Sequence, residues 1–157
     1  LQLQLAARVG SDVRKWQFNN CLIEGWALYC EEMAGEVGIV GDDPARKLGV
    51  LGGVMFRAAR IIADVKLQTG QFDYDQAVKW MSETLKSDTT YIKSEVLRYT
   101  MTPGQPMSYL MGKRAIVALR DKIRQKEGKD FNLKRFHDRL LAEGSIPISL
   151  IEKKLLP

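Results

Sequence analysis

Apolar residues recur along this chain at intervals of three and four, and no segment settles into a convincing period of two. Spacing of that kind predicts helix after helix. The first stripe lies in residues 13–37, where Trp16, Ile23, Trp26, Ala27, Cys30, Ala34 and Val37 share a helical face. A Gly-rich break (GEVGIVGDDP) ends it. Asp43-Pro44 then opens a helix over residues 45–68, because proline is tolerated in a first turn. That helix is apolar nearly all round, apart from Arg57, Arg60 and Asp64. Asp73 and Gln76 form an Asp-x-x-Gln cap for a helix reaching residue 85, and Ser87 or Asp88 caps the next, to about residue 101. TPGQP, residues 102–106, is the firmest break in the chain. The longest helix is expected to follow over 107–126, closed by Gly128. Asn132 caps a shorter one through Ala142, closed by Gly144. The tail SIPISLIEKKLLP predicts a proline turn and one or two helical turns. The fold class is all-α.

At 157 residues the chain suits a single helical domain, 1–157. Its apolar fraction of 45% is enough for a core, which rules out wholesale disorder. No run reaches the roughly 18 uncharged apolar residues of a membrane span, and no cleavable leader opens the chain. The first residue is Leu1 rather than Met, inside an amphipathic run (LQLQLAARV), so the start reads as a cleavage or truncation boundary of something larger. The compartment is left open. The formal net charge of +5 is concentrated in the last third. Acids alternate with the bases there (Asp121, Glu127, Asp130, Asp138), and Phe131 and Phe136 fall at core spacing. A solvated helix face fits this better than a nucleic-acid surface. Cys21 and Cys30, nine apart on one helix, face opposite sides and lie beyond disulfide reach.

Five places call for a chemical reading. In CLIEGWALYCEE, residues 21–32, Glu24 is the only charge between the cysteines, and Glu31 returns to nearly the same face two turns on. A carboxylate among Trp26, Leu22, Leu28 and Tyr29 must be paired, protonated or bound to a cation. Both a structural Glu–Arg pair and a metal ligand answer that need. In residues 94–113 Glu95, Arg98, Tyr99, Gln105 and Tyr109 gather around the rigid break. Glu95 and Arg98 can pair on one face, and a tyrosine hydroxyl at such a junction either packs or donates to a developing oxyanion. Arg57, Arg60 and Asp64 suit ion pairing, internally or with a buried glutamate. Gly49, Gly52 and Gly53 lack the strand and the Lys-Ser/Thr of a phosphate loop and read as close helix packing. His137, without a second ligand at metal spacing, reads as an ordinary helix residue.

EGWALYCEE, RAARIIAD, EVLRYTMTPGQPMSYLMG and FHDRLLAEGSIPISLIE, in this order, resemble the C-terminal part of the bacterial and archaeal domain-of-unknown-function 885 proteins. Those are grouped with gluzincin-type zinc metallopeptidases. In that family an HE-x-x-P-G-H motif directly precedes an LQ-x-x-LA run, which Leu1-Gln2 to Leu5-Ala6 fits. The resemblance implies that the zinc-binding histidines and the water-activating glutamate lie upstream of Leu1. It implies that Glu24 is the third protein ligand, with Glu31 behind it in an E-x6-E spacing similar to that of thimet-oligopeptidase-type enzymes. It further implies that Tyr109 stabilises the tetrahedral intermediate, with Tyr99 as a second donor and Arg98 and Gln105 in support. The implied cofactor is zinc in the parent, with none expected in this segment alone. The implied partners are a peptide substrate and the N-terminal part of the same protein, with no nucleic acid and no membrane span. A non-catalytic helical interaction or scaffold domain is the alternative, since His137 alone cannot complete a zinc site.

Overall fold

Helix ends in this protein are set by side chains a few residues away. The computed structural model describes residues 1–39 and 41–157; Val40, inside the Gly-rich break, lies outside the described residues. Among these the helices are α1 (Gln2–Ala6), α2 (Asp12–Lys15), α3 (Asn20–Glu36), α4 (Pro44–Gln68), α5 (Tyr74–Leu85), α6 (Thr89–Met101), α7 (Gln105–Glu127), α8 (Leu133–Leu141) and α9 (Ile148–Leu155), and there is no strand. The all-α expectation holds. Asp43 accepts the Ala45 N–H, Asp88 accepts those of Thr90 and Tyr91, and Asn132 that of Arg135. Asp73 and Gln76 form both halves of a capping box. Each such cap contributes about 1 kcal/mol by satisfying donors that the first turn leaves open.

Three expectations are corrected. The helix expected over 13–37 is two, because Asn19 starts a new one: its side chain accepts the Leu22 N–H and its own N–H goes to the Ser145 carbonyl. Trp16 and Val37, assigned to the inward stripe, are 81% and 53% exposed. The longest helix is α4, with 25 residues against 23 in α7, since proline at its first position and Asp43 before it start it cleanly.

The described residues gather into two compact units, Glu31–Leu110 and the pair of segments Leu1–Cys30 and Met111–Pro157. In the first, α4, α5 and α6 pack on one another around Ala63, Ala77, Val78, Met81, Ile92, Val96 and Tyr99. In the second, Leu22, Tyr29, Ile116, Leu119, Ile123, Phe136, Leu140 and Ile151 are buried. Within that unit α3 and α7 cross with almost no gap. A methyl built on Gly112 would stand 1.8 Å from the Cys21 carbonyl oxygen and 2.9 Å from the Gly25 Cα. The crossing therefore admits only glycine at both positions, and it fixes the stretch of α3 that carries Glu24.

Candidate functional site

Within the unit Glu31–Leu110, the residues around the TPGQP break form one hydrogen-bonded cluster. Gly104 takes a positive φ of 79°, which glycine adopts without strain, and its N–H is accepted by the buried Asp64 at 2.9 Å. Helix α7 then starts at Gln105, with Pro106 in its first turn. Arg98 grips Glu95 through two nitrogens, at 2.9 and 3.3 Å, as their spacing of three predicts. Tyr99, fully buried, donates its hydroxyl proton to the same carboxylate at 2.9 Å. Arg60, on α4, brings its Nε to 3.7 Å from Glu95. Burial pushes the Glu95 carboxyl up, but the bonds from Arg98 and Tyr99 and the two guanidinium charges outweigh it and hold the group below its ordinary range. Burial, together with the adjoining Glu95 charge, raises the Tyr99 hydroxyl well above the usual tyrosine range, so it stays protonated as a donor.

Gln105 links this ion cluster to Tyr109. Its Oε1 accepts from Arg98 at 2.8 Å and from Arg60 at 3.4 Å. Two guanidinium donors at one end fix the amide's orientation, because only the carbonyl oxygen can accept them. The amide nitrogen is thereby turned to Tyr109, whose hydroxyl oxygen accepts from it at 3.3 Å. The Arg60 guanidinium also lies 4.7 Å from the centre of the Tyr109 ring. Tyr109 is half-buried, and its own hydroxyl proton has no acceptor among the described residues.

Glu24 sits half-buried on α3, in the unit formed by Leu1–Cys30 and Met111–Pro157. Glu31 forms an ion pair with Arg57 at 2.7 Å. Arg57 and Arg60 thus pair with glutamates of other helices rather than with Asp64, the second of the two arrangements their spacing allowed. Among the described residues no three His, Cys, Asp or Glu side chains converge as a ligand set. Glu24 fits a zinc site as one oxygen ligand, and such a site needs at least two more.

His137 is no ordinary helix residue. Its Nε2 lies 2.8 Å from the Tyr29 hydroxyl, and its ring meets those of Trp26, Tyr29 and Phe136 at 5.3–5.5 Å between centres. Arg120 donates to the Tyr29 oxygen at 3.4 Å, which directs the Tyr29 proton to His137 as acceptor. Sequence spacing missed this cluster because its members lie on helices far apart in the chain. Burial lowers the His137 pKa, and the Arg120 charge lowers it further against a smaller pull from Asp138. A lowered folded-state value means that the unfolded chain takes up the proton first, so stability is complete above about pH 6.5 and is lost as pH falls from there. His137 is the only histidine, and the carboxylates held low, Glu95 and Glu143, begin to protonate only below their ordinary 4.5. Urea unfolding at pH 7.5 and 5.5 is therefore expected to reveal a loss of stability on acidification that His137→Phe abolishes. An equal loss in the variant would exclude His137 as its source.

No curated protein matches the chain. Chains of solved structures do, and two of them are described as lipoproteins. One is described as "a putative lipoprotein of unknown function from Shewanella oneidensis", 29% identical, with a TM-score of 0.90 over 99% of this chain and 29% of that one. The other is described as "the putative lipoprotein from Colwellia psychrerythraea", 34% identical, with a TM-score of 0.82 over 87% of this chain and 23% of that one. The chain spans only about a quarter of the length of these proteins. Residues 1–155 match the family described as bacterial protein of unknown function, DUF885, and the chain belongs to that family.

Proposed function

We propose that this chain is the C-terminal catalytic part of a zinc-dependent hydrolase of peptide or related amide bonds, whose His-Glu motif lies upstream. The observation that carries this reading is the orientation of Tyr109. Gln105, held by Arg60 and Arg98, donates to the tyrosine oxygen and leaves its proton available. A neutral donor fixed in advance and not already spent on a protein acceptor is what a developing oxyanion requires. Zinc, when bound, would supply Lewis acidity and a water of lowered pKa. Glu24 contributes one ligand oxygen. Tyr99 spends its proton on Glu95 and acts by position, keeping that carboxylate where it anchors Arg98. Glu31, paired with Arg57, acts at most behind Glu24. The lipoprotein descriptions of both solved relatives support an exported parent.

The test is hydrolysis of a defined peptide mixture by the full-length protein, read by mass spectrometry. Cleavage is expected, lost on chelation and restored by zinc, while the 157-residue chain alone cleaves nothing. A zinc-loaded full-length protein that leaves every peptide intact would favour the non-catalytic helical scaffold instead.

A further inference from the structure

Helix α4 carries two apolar faces, and the three-helix packing uses one. Ala63 is buried in it, with Phe56 and Leu67 partly so. On a neighbouring face stand Leu48, Leu51, Met55, Ile62 and Val65, from 38% to 69% exposed. With Ala58 they are spaced 3, 4, 3, 4 and 3 residues apart. That is the alternation of a helix–helix seam, and it runs for about 26 Å at 1.5 Å per residue. A groove of about 270 Å³ lined by Glu31, Gly35, Lys47, Val50 and Leu51 opens beside its first turns. A seam of five large apolar side chains is the kind of contiguous patch that a soluble protein covers.

We propose that this face of α4 is the docking surface for helices of the N-terminal part of the same polypeptide. Two observations select that occupant. The solved relatives devote roughly three quarters of their length to chain outside the matched segment, so ample further chain is at hand to cover the face. The positions flanking the seam are Gly52, Val54, Ala59 and Ile61 along its middle, with Lys47, Lys66 and Gln68 at its ends, so charges of both signs are absent. A two-stranded pairing with a second copy would draw its register from charged flanks. A seam with apolar or small flanks instead suits burial among several helices of one core.

Oxidation of Met55 by dilute hydrogen peroxide in the full-length protein, followed by peptide mapping, tests this. The fully buried Met81 serves as the protected standard, and the urea-unfolded protein gives the unprotected rate. Met55, half-exposed in this chain, is expected to oxidise at least tenfold more slowly than in the unfolded protein, at every protein concentration. A Met55 rate within about twofold of the unfolded one would overturn the proposal. So would protection that disappears on dilution together with a fall from dimer to monomer mass, which would make a second copy the occupant.

Discussion

Replacing Tyr109 by phenylalanine in the full-length protein is expected to lower turnover by about 10²–10³, the usual cost of one oxyanion donor. The hydroxyl is the only group removed, and among the described residues its one hydrogen bond comes from Gln105 at 3.3 Å. The ring, under the Arg60 guanidinium, stays in place. A donor that meets the substrate oxygen only as charge develops contributes nothing to ground-state binding, so KM should stay nearly constant while kcat falls. Stability should fall by no more than about 1 kcal/mol, the net worth of one hydrogen bond. Gln105→Leu gives the companion result. It leaves the tyrosine but frees its orientation, so kcat drops less than in Tyr109→Phe, and the double variant is no worse than Tyr109→Phe alone. Turnover unchanged in Tyr109→Phe would take this residue out of the chemistry and leave it as a packing tyrosine.

Gly112→Ala is expected to cost about 3 kcal/mol or more of folding stability, at the upper end for overpacking. In an open helix the same change gains up to about 1 kcal/mol, because glycine is the poorer helix former. Here the added methyl would stand 1.8 Å from a backbone oxygen of α3, and backbone cannot swing aside as a long side chain would. Gly49→Ala is the control: it too lies within a helix, but nothing stands within 4 Å of its built Cβ, so a gain is expected. Urea denaturation of both variants compares them directly. A Gly112→Ala variant as stable as Gly49→Ala would contradict so close an α3–α7 crossing. Because Gly25 sits in that crossing beside Glu24, relaxing it would also move the carboxylate proposed as a zinc ligand.

Features written in a few neighbouring residues were legible in the sequence. The Asp73–Gln76 box, the Asp43-Pro44 start, the break at TPGQP and the Glu95–Arg98 pair all depend on partners within four residues, and all formed as expected. Features closed by distant partners were not. The new start at Asn19 depends on the Ser145 carbonyl, the approach of Arg60 to Glu95 on two helices meeting, and the His137 cluster on Trp26 and Tyr29 from α3. The near-uniform apolarity of α4 concealed which face enters the bundle, because a periodic count cannot rank two apolar faces. At the candidate site, the residue types at the break were readable, while the direction of the Tyr109 proton was not. That direction follows from which end of Gln105 the two guanidinium groups occupy.

Zinc content of the purified full-length protein, measured by mass spectrometry beside its Glu24→Gln variant, tests the assignment of this chain most directly. The carboxamide keeps the shape of the side chain but gives up the anionic oxygen that a zinc site uses. The expected result is about one zinc per wild-type chain and a large loss of metal in the variant, with helical circular dichroism unchanged. A variant that keeps its full zinc would show that Glu24 is not a ligand, and a wild-type protein that takes up no zinc at all would contradict the proposed hydrolase itself.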